Sequence, residues 1–215
     1  MIGSRGFALV IAAPSGAGKT SLARALIDRN AGIEFSVSAT TRSRRAYEDG
    51  HGHYHFVTDA EFDRMAAAGE LLEWATVHNR KYGTPRSEVE ARLKDGRVVV
   101  LDIDVQGARQ VRAALADAVL VFVMPPSARE LRERLAKRAS ETVQERELRL
   151  ETARQELKAA GEFDYIVVND DFDRALAALE AIVMAERCRI SHVTEVEREV
   201  RALDEELARL MERNN

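Results

Sequence analysis

The stretch Phe7–Ser21, "FALVIAAPSGAGKTS", decides the fold. Phe7–Ala12 is an apolar run with no polar alternation, the pattern of a strand covered on both faces. Gly16-Ala17-Gly18-Lys19-Thr20 then opens a helical pattern over Lys19–Arg29. In a strand, glycine-rich loop and helix arranged this way, backbone N–H groups and a helix N-terminus together form an anion site. The pattern G-x-x-x-x-G-K-[ST] asks for glycine at position 13, and this chain has Ala13. A Cβ there costs about 1 kcal/mol only if φ is positive. At a strand exit φ is ordinarily negative, so the methyl group need only fit sterically. The motif therefore predicts that Ala13, Pro14, Ser15, Gly16, Ala17, Gly18, Lys19 and Thr20 wrap the phosphates of ATP. Lys19 would reach the β- and γ-phosphates, and the Thr20 hydroxyl would ligate Mg²⁺.

Working outward, Val98–Ile103, Val119–Val123 and Tyr165–Val168 repeat the buried-strand pattern. Helical patterns separate them at about Gly107–Ala116, Ser127–Ala139, about Val143–Ala160 and Phe172–Arg189. The alternation predicts an α/β fold, a doubly wound parallel sheet of the P-loop NTPase kind. Two stretches break the rhythm. Ser36–Gly96 alternates polar and apolar residues and reads as an inserted, mixed α/β subdomain with antiparallel strands. Ala139–Glu151 is dense in charge, read either as a solvated helix face or as a lid over a ligand. The expected organisation is a core of residues 1–35, 97–138 and 152–189, an acceptor subdomain at 36–96, a lid at 139–151 and a C-terminal helix at 190–215.

Bulk properties narrow the class. With 215 residues and 46% apolar composition the chain can bury a core. Cys188 is the single cysteine, so no intrachain disulfide forms, and a reducing cytoplasm is the expected compartment. No apolar run reaches the roughly 18 to 20 residues that span a bilayer, and the N-terminal apolar run leads into the loop rather than a signal-peptide pattern. A net charge of −4 argues against general nucleic-acid binding, so a polyanionic ligand needs basic residues concentrated locally.

Such a concentration occurs in "FSVSATTRSRR" (Phe35–Arg45), followed by "GHYHF", "ELLEW" and "KYGTP". With L-D-I-D-x-Q-G at 101–107 and V-N-D-D at 168–171, these segments resemble the guanylate kinase family in order, over roughly residues 5 to 188. In that family the first glycine of the loop is often alanine. The resemblance implies that Arg42, Arg45, Tyr54 and Tyr82 hold the phosphate of GMP, a task suited to forked guanidinium hydrogen bonds. It implies that Ser38, Glu73, Thr84 and Asp104 surround the guanine. A carboxylate at Glu73 accepts from N1–H and the 2-amino group of guanine, whereas adenine offers neither donor. Arg44 is expected to be solvated. Asp102 resembles the strand-terminal aspartate that organises Mg²⁺ and its waters, with a purely structural hydrogen-bonding role as the alternative.

On the donor side, Arg134, Arg138 and Arg149 resemble lid arginines that close on the transferring phosphate, with Arg138 also facing the adenine. Arg146 competes for the Arg149 role. Asn169 is expected at the C-terminal edge of the sheet, near the adenine ring. Catalytic work is assigned to Lys19, Arg42, Arg134, Arg138 and Arg149. No general base is needed, because a phosphate monoester with a second pKa of about 6 is already largely dianionic at neutral pH. The implied reaction is ATP + GMP to ADP + GDP. Two alternatives are an inactive, guanylate-kinase-like binding module and a kinase for another phosphorylated acceptor.

His51, His53 and His55 alternate, which suits either a metal site or an exposed hairpin face. Val193, Val196, Val200, Leu203, Leu207 and Leu210 are spaced as a short heptad seam, flanked by Glu197, Glu199, Asp204 and Glu206. A parallel pair would set Glu199 against Asp204, so the helix is expected to pack on its own body or on a partner's. Homo-oligomer formation through it is left open.

Overall fold

The computed structural model describes residues 3–44, 54–77, 79–136 and 143–212. The elements run β1 (Gly3–Ser4), β2 (Ala8–Ala12), α1 (Lys19–Arg29), β3 (Ile33–Phe35), β4 (Ala39–Thr40), β5 (His55–Phe56), α2 (Asp59–Ala67), β6 (Leu71–Val77) and β7 (Arg80–Pro85). There follow α3 (Arg86–Lys94), β8 (Val98–Asp102), α4 (Val105–Ala114), β9 (Val119–Met124), α5 (Ala128–Ala136), α6 (Val143–Lys158), β10 (Tyr165–Val168), α7 (Phe172–Arg187), β11 (Val193–Thr194) and α8 (Val196–Glu212).

The main sheet has the order β10-β9-β2-β8-β3, and every pairing in it is parallel. Alternate side chains serve its two faces, as strand geometry requires. Leu9 and Ile11 pack with Leu22 and Leu26 of α1 and with Leu176, Leu179 and Val183 of α7. Ala8, Val10 and Ala12 pack on the other face, with Val89 of α3 and Ala108 and Val111 of α4. Being covered twice explains why β2, β8 and β9 carry no polar alternation, whereas β10, at the sheet edge, leaves Ile166 and Val168 exposed. The C-terminal ends of β2 and β8 therefore point the loop and Asp102 to the same edge.

In chain order, between β3 and β8 comes a second sheet, β5-β4-β7-β6. Its β4–β7 and β6–β7 pairs are antiparallel as expected, but β4 and β5 run parallel. Ala39, Phe62 and Leu71 form its own buried cluster. Thr58 caps α2 by accepting from the Glu61 N–H at 3.2 Å. Strand β3 was not foreseen: it has only three residues, and Glu34 at its centre masks the apolar pattern. Helix α4 begins two residues before its expected start because Asp104 caps it, accepting from the Gly107 N–H at 2.8 Å.

The C-terminal helix departs from one of its two expected placements. All residues from Arg201 to Met211 are exposed, so α8 does not pack on the body of its own chain there. It leaves the fold through Glu195, whose φ of 63° turns the chain just after β11 pairs with β1.

Candidate active site

Ala13 is buried among core residues, and the non-glycine residues with positive φ among those described are Asn79 and Glu195. The methyl group at position 13 is thus accommodated as the steric argument required. The glycines the loop depends on are Gly16 and Gly18, at φ 89° and 95°. A Cβ on Gly18 would also come within 2.3 Å of the Asn169 side-chain nitrogen.

Asn169, Arg134 and Asp102 are among the groups that hold the loop in place. The Asn169 amide donates to the Ala17 carbonyl at 2.7 Å, and Arg134 donates to the same carbonyl at 3.2 Å and to the Asn169 carbonyl at 3.0 Å. Asn169 is only 6% exposed, so its amide shapes the loop from behind. Lys19 pairs with Asp102 at 2.9 Å and donates to the Ile103 carbonyl at 2.5 Å. The Thr20 hydroxyl donates to the other Asp102 oxygen at 2.7 Å. A cavity of about 410 Å³ opens here, lined by the loop, Asp104, Arg134 and Glu156.

The acceptor-side residues lie on the second sheet and the first turn of α4. Glu73 on β6 is 6% exposed, and Thr84 on β7, fully buried, donates to it at 2.6 Å. Burial pushes the Glu73 carboxyl above its ordinary range and Asp104 adds to the shift, while the Thr84 hydroxyl and Lys19 oppose it. Glu73 approaches the first turn of α4 closely: a Cβ on Gly107 would lie 3.1 Å from its Oε2. Asp104 caps that same turn, so the two carboxylates are neighbours across it. Arg42 sits 5.3 Å from the Tyr54 ring centroid, and Tyr54 meets Tyr82 edge-on at 6.1 Å. The guanidinium and the two phenols thus form one cluster. Ser38 leads into β4, its carbonyl accepting from the His55 N–H at 2.9 Å. Arg44 is exposed and lies over Phe56 at 4.9 Å.

The profile of the guanylate kinase family matches residues 5–186. A guanylate kinase of Chelativorans sp. (strain BNC1) is 48% identical over 186 residues, covering 86% of this chain and 85% of that protein. One of Rhizobium meliloti (strain 1021) is 48% identical over 189 residues, 87% of this chain and 86% of that one. The crystal structure of guanylate kinase from Anaplasma phagocytophilum superposes with a TM-score of 0.73 at 32% identity, covering 93% and 96% of the two chains. The chain belongs to the guanylate kinase family. As a guanylate kinase it is an enzyme, a nucleoside monophosphate kinase on the P-loop NTPase fold.

Arg45, Arg138, His51 and His53 lie outside the described residues, as does the side chain of Arg146. His55 pairs with Glu88. Arg149 is partly buried on α6. Sequence reasoning missed Glu156, whose Oε2 accepts from the Ser15 N–H at 3.3 Å across 141 positions of chain. The one available signal was its spacing of seven from Arg149, two turns along the same helix face.

Proposed function

We propose that this guanylate kinase transfers the γ-phosphoryl group of Mg²⁺-bound ATP reversibly to GMP, giving ADP and GDP. The observation that carries the guanine specificity is Glu73: a buried carboxylate, held by Thr84, beside Asp104 and within electrostatic reach of Lys19. Guanine can satisfy such a group with two donors, whereas adenine leaves it desolvated and unpaired. Arg42, Arg45, Tyr54 and Tyr82 hold the GMP phosphate, while Ser38, Glu73, Thr84 and Asp104 surround the base. Ala13 to Thr20 wrap the ATP phosphates with Lys19 among them, and Arg134, Arg138 and Arg149 screen the transferring group. Asn169 contributes by fixing the Ala17 carbonyl.

Mechanism follows from charge. The attacking oxygen belongs to a dianionic phosphate, so positioning and screening do the catalytic work rather than proton abstraction. The Thr20 hydroxyl and the Asp102 carboxylate stand side by side, an all-oxygen donor set that fits Mg²⁺: Thr20 would ligate the ion and Asp102 would help hold it indirectly. When bound, the ion supplies screening of the β- and γ-phosphate charge. Residues 1–35, 97–138 and 152–189 act as the core, 36–96 as the GMP-binding unit and 139–151 as a lid that closes on both nucleotides. The remaining readings are a cytoplasmic location, no membrane or nucleic-acid partner, and self-association through the exposed seam of α8. No helix among the described residues is long and apolar enough to cross a membrane.

The test is ADP formation from Mg-ATP with GMP, AMP, CMP or UMP as acceptor, beside a Glu73→Ala variant. Turnover with GMP alone, lost in the variant, is the expected result. Acceptor-independent hydrolysis, or preference for another acceptor, would refute the assignment. Light scattering on the same preparation reads the oligomer: a monomer mass at all concentrations removes α8 as an interface.

A further inference from the structure

Helix α6 carries two side chains of opposite sign on one face, Arg149 and Glu156, with buried Ala153 between them. Ala153 packs against Leu131 and Leu135 of α5, and Leu135 in turn stands 3.0 Å from where a Gly16 Cβ would be. The loop, α5 and α6 are therefore a continuous packed unit. Within it, Glu156 lines the phosphate cavity and accepts from the loop's own Ser15 N–H. An N–H of an anion-binding loop is thus engaged by a carboxylate of the chain itself. Burial raises the proton affinity of Glu156, and the charge of Asp104, which also lines this cavity, adds to it, while the Ser15 N–H and Lys19 oppose the shift.

We propose that Glu156 is a placeholder for the terminal phosphate of the donor nucleotide, and that its displacement couples γ-phosphate occupancy to the position of α6. The proposal rests on the reading that residues 13–20 bind ATP. In the structure the carboxylate satisfies Ser15. When the triphosphate enters, two anions compete for one donor region, and the more highly charged phosphate chain, held also by Lys19, displaces the side chain. Arg149 lies two turns away on the same rigid helix, so the movement that withdraws Glu156 reorients the arginine assigned to the transferring group. Repulsion at one end of the face and attraction at the other make α6 respond to a triphosphate more strongly than to a diphosphate. The carboxylate also limits ground-state donor affinity, leaving binding free energy for the transition state.

The experiment is calorimetric titration of the full chain with the β,γ-imido analogue of ATP and, separately, with ADP, for wild type, Glu156→Gln and Glu156→Asp. Glu156→Gln keeps an acceptor for Ser15 and removes the charge. It is expected to tighten the ATP analogue about tenfold, the size of one partly screened charge pair, and ADP by no more than about twofold. Glu156→Asp keeps the charge and should retain a ratio near that of wild type. Thermal melts confirm that each variant is folded. Unchanged affinities, or equal changes for the two nucleotides, would overturn the proposal, and so would weaker binding of both, which is what loss of a merely structural loop contact produces. A wild-type chain that binds the ATP analogue without GMP-dependent turnover would instead refute the proposed function, and the affinity ratio would still decide the role of Glu156.

Discussion

The phosphate loop stands on a five-stranded parallel sheet with an apolar cluster on each face, whereas Glu73, Thr84 and Tyr82 stand on a four-stranded sheet whose own cluster is Ala39, Phe62 and Leu71. The donor end is also bound crosswise: Asn169 and Arg134 fix Ala17, and Asp102 fixes Lys19 and Thr20. At the acceptor end, the described residues are tied by the Glu73–Thr84 bond, the Arg42–Tyr54–Tyr82 cluster and the paired bonds between the Trp74 backbone and the Gln110 amide of α4. A loop that must cradle several phosphate charges gains from being preorganised, because fixed donors cost no reorganisation during reaction. On the proposed assignment, a subdomain that admits and releases GMP can instead draw on lower local stability. The comparison implies that single substitutions at the two ends should fail in different ways.

The largest effect on nucleotide affinity belongs to Gly18→Ala. The new Cβ meets both a left-handed backbone and the Asn169 amide, so the Asn169–Ala17 bond breaks. Strain of about 1–2 kcal/mol plus a lost buried hydrogen bond of about 1 kcal/mol predicts roughly a hundredfold weaker ATP binding. GMP affinity, read by calorimetry, should change little. Equal losses for both nucleotides would mean that the two ends are not independently held.

Phe62→Ala probes the other side. Phe62 is fully buried and stacks edge-on with Trp74 at 6.3 Å, and truncation of a buried phenylalanine costs about 3–5 kcal/mol. In so small a cluster that loss should melt the acceptor sheet before the main sheet. GMP affinity should fall at least tenfold while ATP affinity holds, and a calorimetric melt should split into two transitions. A single transition shifted downward would show instead that the sheets unfold as one unit.

The same contrast governs what could be read from the amino-acid sequence. Strands β2, β8 and β9 were legible because burial on both faces leaves a continuous apolar run, which has few other readings; β10 carries the same kind of run but lies at the sheet edge, where Ile166 and Val168 are exposed, so the expectation that it is covered on both faces is corrected. Strand β3 was not, since a three-residue edge strand with Glu34 inside has no period to detect. In the second sheet the residue set was legible through its motifs, but the parallel β4–β5 pairing was not. Register between short strands is set by contacts far apart in sequence, such as Thr40 with both Phe56 and Tyr82. Glu156 escaped for a related reason: its partner is a backbone N–H, which leaves no mark on residue type. Asn169 was assigned to the right edge of the sheet, yet its bond to Ala17 depends on loop curvature that only coordinates supply. The amphipathy of α8 was plain from its spacing, while what covers that face is a property of the assembly.

The smallest expected effect tests Glu73 by pH. Burial raises its folded-state pKa, so protonation begins at higher pH than for an ordinary carboxylate. For a raised pKa, the stability associated with the neutral form is fully present below the unfolded value and is lost as pH rises through the folded value. The proposed role of Glu73 in guanine recognition requires the opposite, ionised form, because only the carboxylate accepts from both N1–H and the 2-amino group. GMP affinity should therefore weaken as pH falls through the raised pKa of Glu73, approaching tenfold per unit below it. The GMP phosphate titrates near pH 6 as well, so the informative quantity is the ratio of wild type to Glu73→Gln, in which that contribution cancels. The ratio should fall with acidification, beginning above the normal carboxylate range, while the melting temperature of wild type relative to the variant rises over the same interval. A flat ratio would mean that Glu73 stays ionised despite its burial, and that Lys19 and Thr84 together outweigh desolvation.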